Sequence, residues 1–191
     1  LRLPAQASLL ILVYFVAGVV AVPFWVAVSR RFTKHRTLVI AALWGSAWFL
    51  VTPWLPPDRL LPAVLVTLMT GSVMAVAPVL GGSMAADVID LDALRSRSQR
   101  SGLFFALWAM GAKMALALGV GTALPILDWF GFQPNAVNGR QQISALVGLY
   151  CIVPVVLWTI SVIPLWNFPI TPERQRRMQA SLGRRQARRV A

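Results

Sequence analysis

Apolar residues fall into five runs along this chain, each near the length a helix needs to cross a bilayer, about 20 residues. They run roughly from Ala7 to Val28, Leu38 to Trp54, Leu60 to Gly82, Leu103 to Leu127 and Ile143 to Trp166. The pattern predicts an all-α, polytopic membrane protein with five transmembrane helices. Gly18, Pro23, Gly71, Ser72, Pro78, Pro154 and Pro164 interrupt the runs. Membrane helices tolerate such residues where neighbouring groups satisfy the freed backbone.

The polar positions set the topology. Ser29 to Thr37, Ser83 to Gly102 and the polar tail at 169–191 carry four, three and seven Lys or Arg, fourteen in all. Arg2, Arg59 and Arg140 lie on the opposite side. Positive residues mark the cytoplasmic face. The expected arrangement is multi-pass in a bacterial-type inner membrane, with Leu1 outside and the C-terminus in the cytoplasm. Five spans, an outside N-terminus and no initiating Met lead us to expect the C-terminal part of a longer chain. Thr171-Pro-Glu in the tail is a helix start, with Thr171 as cap and Pro172 at the first position. The Arg-rich segment after it reads as a solvated topology anchor.

Composition agrees with a bilayer. The 191 residues are 58% hydrophobic and 13% charged, with mean hydropathy +0.69. Soluble domains are about 45–50% apolar and about 25% charged. The net charge of +12 does not imply nucleic acid. The cations sit in short runs between apolar segments, and no aromatic residues alternate with the tail arginines for stacking. Cys151 is the sole cysteine, so no internal disulfide forms, and it reads as a small packing residue. No nucleophile-elbow, phosphate-loop or zinc pattern is present. We expect no enzyme activity, no metal site and no tightly bound cofactor.

Two places carry candidate chemistry. Ser83 to Gly102 reads as a short hydrophilic loop holding Asp87, Asp90 and Asp92, answered by Arg95, Arg97 and Arg100. Lys113 lies about ten residues, roughly 15 Å, into the fourth run. A charge near the midplane costs at least ~2.5–3.5 kcal/mol and faces a partner or a wet cavity. No acid lies at similar depth in the five runs. Gly111, Ala115 and Gly119 recur every fourth residue on the same helix, a small-residue stripe that admits a close neighbour. Trp54, Trp129 and Trp166 fall at run ends, where aromatic belts form. Trp108 is a candidate to stack on a sugar ring.

The segment Ala86-Asp-Val-Ile-Asp-Leu-Asp-Ala-Leu-Arg-Ser-Arg-Ser-Gln-Arg-Ser-Gly102 resembles the loop between the tenth and eleventh helices of the glycoside–pentoside–hexuronide:cation symporters. These form the melibiose-permease-like branch of the major facilitator superfamily. Lys113 matches a helix-eleven lysine of that family. Gly131-Phe-Gln-Pro-Asn135 matches its Gly-aromatic-x-Pro-Asn loop, and Phe168-Pro-Ile-Thr-Pro-Glu-Arg174 is similar to its segment after helix twelve. The resemblance implies that the five runs are helices 8–12 of a 12-helix fold. It implies cation-coupled symport of a sugar or glycoside by alternating access. The alternative is a facilitator-fold carrier of a non-sugar solute, a lipid or organic acid. The implied substrate-binding residues are Lys113 and Trp108, and the implied cytoplasmic gate comprises Asp87, Asp90, Arg97 and Arg100. The coupling cation, Na⁺ or H⁺, is expected at a site mostly outside this chain, and the partner is the N-terminal half of the transporter. The pattern departs at Ser101, where the family has Glu, at Ser98 and Gln99, and at Gly82, where sugar-transporting members often have an aromatic ring.

Overall fold

The protein is described by a computed structural model covering residues 6–56, 59–96, 98, 100–134, 136–166, 175, 178, 180 and 181. In order the helices are α1 (Ala7–Arg31), α2 (Lys34–Val51), α3 (Leu60–Gly71), α4 (Val76–Ser96), α5 (Ser101–Trp129), α6 (Arg140–Val147) and α7 (Val153–Trp166). A 3₁₀ turn, Thr52–Trp54, extends α2, and a π turn, Gly148–Ile152, joins α6 to α7. Among the described residues they make five helical spans long and apolar enough to cross a membrane. The expected all-α, five-span membrane bundle is what the chain forms.

Local sequence explains the breaks. The third span bends at residues 72–75, between α3 and α4. Pro78 has no N–H, and its ring crowds the carbonyl one turn back. Ser72 turns its hydroxyl onto the Met69 carbonyl at 2.6 Å. Trp25 of α1 donates its indole N–H to the Ser72 carbonyl at 2.8 Å, so a backbone acceptor at the bend keeps a partner inside the bundle. The π turn before Pro154 accommodates that proline in the same way. α5 stops at Gly131, whose φ of 70° only glycine adopts without strain. The Gly131 N–H donates to the Asp128 carbonyl (2.7 Å) and Phe132 N–H to the Leu127 carbonyl (2.9 Å), the paired bonds of a glycine-terminated helix.

Packing is uneven. α1 and α3 press backbone to backbone: a Cβ on Gly71 would stand 2.5 Å from the Tyr14 carbonyl oxygen. Trp25, Ala41, Val76 and Leu80 form the apolar core between α1, α2 and α4. α7 lies along α2, with Trp158 against Gly45 and edge-on to Phe49. α5 stands apart. None of its residues is buried, and one of its inward contacts is Trp108, whose ring lies 2.9 Å from where a Gly81 Cβ would be.

The stretch from Ser83 to Gly102 differs from the loop expected. It is helical to Ser96. Met84, Val88, Leu91 and Arg95 keep the spacing of one helical face, and Ala85, Ala86 and Leu94 are strong helix formers. The three acids lower the hydropathy without disturbing that periodicity.

Candidate functional site

Helix ends gather the charged residues. α1 finishes on Arg30 and Arg31, and Thr33 adopts an extended backbone (φ −157°, ψ 157°). Its hydroxyl accepts the Arg36 N–H at 3.4 Å, the geometry of a helix cap. Lys34 is therefore the first residue of α2, at the same end of the bundle as the last turns of α4. There its ammonium meets Asp87 at 2.6 Å. The other carboxylate oxygen of Asp87 accepts a hydrogen bond from the Gln175 side-chain amide, also at 2.6 Å. Asp87 is buried, its side chain 7% exposed against 26% for Lys34. One carboxylate thus ties the start of α2, the last turns of α4 and the tail together. Met178, one turn beyond Gln175, is also buried.

Two members of this clasp, Lys34 and Gln175, were not singled out by the sequence pattern. Asp87 pairs with Lys34, 53 positions away, rather than with Arg95 or Arg100. The available signal was a cation placed directly after a helix-capping threonine at the basic end. Asp90 and Asp92 are half-buried, and Arg100 is exposed at the residue preceding α5. Asp92 accepts a hydrogen bond from the Ser96 hydroxyl at 3.3 Å. Arg97, Gln99, Asn135 and the Phe168–Arg174 segment lie outside the described residues, as does most of the tail at 169–191.

Lys113 sits twelve residues after Ser101 and sixteen before Trp129, near the middle of α5. α5 begins two residues earlier than the apolar run, so the charge lies deeper, roughly 18 Å from the helix start. Its side chain is exposed, and so are Met110, Leu116 and Val120, one or two turns away on its own side of the helix. Trp108 is not brought to Lys113. Five residues separate them, which places them about 140° apart around the helix. Trp108 faces Gly81 instead.

That face closes one wall of a cleft of about 390 Å³. Leu38 of α2, Gly81, Met84, Ala85 and Val88 of α4, Phe104, Leu107 and Trp108 of α5, and Leu165 of α7 line it. All are apolar. Gly82 has open space where a Cβ would stand. Among the described residues, no group of three His, Cys, Asp or Glu is placed to hold a metal ion.

Five bilayer-length spans, a cation at mid-depth and a charged clasp at one end describe a carrier's framework. The model of the family described as MFS/sugar transport protein matches residues 1–172. The chain belongs to this family. It is an integral, multi-pass membrane protein of the MFS/sugar transport family, and the likeness to glycoside/cation symporters agrees with that membership. The chain is 28% identical over 176 residues to the sodium-dependent lysophosphatidylcholine symporter 1 of Xenopus tropicalis, covering 91% of this chain and 33% of that protein. It is 25% identical over 169 residues to the glucuronide carrier protein homolog of Escherichia coli (strain K12), covering 87% and 37%. It is 30% identical over 92 residues to the putative glycoside/cation symporter YagG of the same organism, covering 48% and 20%. The chain spans about a third of the length of the first two relatives and a fifth of the third.

Proposed function

We propose that this chain supplies helices 8–12 of a cation-coupled symporter that carries a glycoside bearing an anionic group, by alternating access. The observation that carries the reading is Lys113, a full charge at mid-depth on a family helix, with apolar neighbours on its own side. A charge so placed faces a partner or a wet pathway. In transporters of this architecture two helix bundles rock about a site near the midplane. The relatives' names support a solute that bears an anionic group. A glucuronide carries a carboxylate and a lysophosphatidylcholine a phosphate, and either complements an ammonium. The N-terminal half is the partner, and it contributes most of the site for Na⁺ or H⁺.

In this reading the basic end faces the cytoplasm of a bacterial-type inner membrane, since cations concentrate there. Asp90 and Arg97 meet the other half as the inward gate. Asp87 holds that gate's base in place through Lys34 and Gln175. Lys113 contacts the solute, and Trp108 serves the α4 side of the helix.

A second reading takes a lysophospholipid as the solute. The apolar side chains around Lys113, Met110, Leu116 and Val120, favour it. They suit an acyl chain beside a charged head better than a ring of hydroxyl groups, which needs several hydrogen-bond partners. Uptake by the full-length protein in proteoliposomes separates the readings. A labelled glucuronide and a labelled lysophospholipid are each supplied with and without a Na⁺ or H⁺ gradient. Glucuronide uptake that collapses with the gradient supports the first. Lysophospholipid uptake alone supports the second. If neither responds to any gradient, the symporter reading fails.

A further inference from the structure

The apolar cleft between α2, α4, α5 and α7 has no part in the pathway proposed for Lys113, which lies on another side of α5. Each wall has its own charge pattern toward the basic end. On α4, Arg95 stands two turns beyond Val88 on the same face, exposed in the last turn. At the start of α5, Arg100 precedes the first helical residue and stands one turn before Phe104, also exposed. On α2, Lys34 stands one turn before Leu38, but Asp87 engages it. Asp92 shares the α4 face and offsets one arginine. Among the described residues the rim therefore keeps a net charge of about one positive unit above walls that are wholly apolar.

We propose that this cleft binds one acyl chain of an anionic phospholipid from the leaflet at the basic end, with its phosphate at Arg95 and Arg100. The chemistry fits on three counts. The volume of about 390 Å³ lies within the range of sites that hold small ligands, about 300–1,000 Å³. From Gly81 to Val88 the cleft follows α4 for roughly 10 Å, an elongated apolar shape suited to part of a hydrocarbon chain. The positive charge that Arg95 and Arg100 bring to the mouth complements a phosphodiester, and exposed arginines near a membrane surface attract anionic headgroups. Arg pairs with phosphate through its planar fork. The bound lipid would fill the space that keeps α5 from packing onto α4, and so would fix the angle of the helix that carries Lys113.

Trp108 makes the site readable. The full-length protein is placed in nanodiscs of phosphatidylcholine doped with a small fraction of phosphatidylglycerol carrying brominated acyl chains. Bromine quenches indole fluorescence on contact. The Trp108 signal is the difference between the protein and its Trp108→Phe variant. We expect that signal to be quenched several-fold more by brominated phosphatidylglycerol than by brominated phosphatidylcholine at equal doping. Arg95→Gln with Arg100→Gln should bring the two lipids to near-equal quenching, and Arg95→Lys with Arg100→Lys should keep most of the preference. Ala85→Trp, which fills the cleft, should abolish quenching of Trp108 by both lipids. Equal quenching by the two lipids overturns the proposal. An unquenched Trp108 also overturns it, since protein from the other half or from a second copy then fills the cleft. An unchanged preference in the glutamine double variant does so too. Transport is not read in any arm, so failure of the symporter reading and failure of the lipid site are distinguishable.

Discussion

Removing either partner of the Lys34–Asp87 pair should destabilise the protein, and by unequal amounts. Lys34→Met leaves the Asp87 carboxylate with 7% side-chain exposure and, among the described residues, one neutral donor, the Gln175 amide. Stranding a charge of that kind costs about 3–5 kcal/mol. Asp87→Asn leaves the Lys34 ammonium instead. With 26% of its side chain exposed, it reaches water by a small rotation, so the loss is that of one charge-assisted hydrogen bond, about 1.5–3 kcal/mol. The double variant strands nothing and should be no worse than Lys34→Met alone. The measurement is denaturant-driven unfolding of the full-length protein in mixed micelles, followed by tryptophan fluorescence, with the four proteins forming a double-mutant cycle. If Asp87→Asn costs as much as Lys34→Met, or more, the carboxylate is not the buried member of the pair and the argument is wrong.

Gly71→Ala should destabilise by up to about 2 kcal/mol: overpacking against the Tyr14 backbone costs about 1–3 kcal/mol, and the gain in helix propensity returns up to about 1. Gly82→Ala, with open space at the new methyl, should instead stabilise by about 0.5–1 kcal/mol, and a melting series of the two variants checks both signs. Lys113→Ala in the full-length protein should abolish solute binding, read by calorimetric titration, while membrane insertion stays intact. Gly131→Ala, forced to a φ of 70°, should cost about 1–2 kcal/mol, visible as a lowered unfolding midpoint with unchanged helix content.

The spans were legible because bilayer length and apolar composition constrain them tightly. The end of α5 was equally plain, since Gly131 follows a long helical run. Lys113 announced itself by its cost. What sequence concealed was of two kinds. The helix from Ser83 to Ser96 was hidden because Asp87, Asp90 and Asp92 make it polar, although Val88, Leu91 and Leu94 keep its apolar positions. The Lys34–Asp87–Gln175 clasp was hidden because its members lie 53 and 88 positions apart, and one-dimensional spacing carries no sign of such pairing. The separation of Trp108 from Lys113 lies between these. It follows from counting residues around α5, yet its meaning came only when Gly81 was found under the ring.

The bend at residues 72–75 divides the third span between two different anchorages. Below it, α3 is locked to α1 where Gly71 meets the Tyr14 backbone. Above it, α4 is bound to α2 by Lys34 and Asp87. Neither anchorage yields to small torsional changes, because one is steric and the other is a short ionic contact. Strain applied at either end of this span is therefore delivered to four turn residues and to the Trp25–Ser72 hydrogen bond beside them. Those four residues act as the universal joint of the third span, and the exchange rates of their amide hydrogens are the place to see it turn.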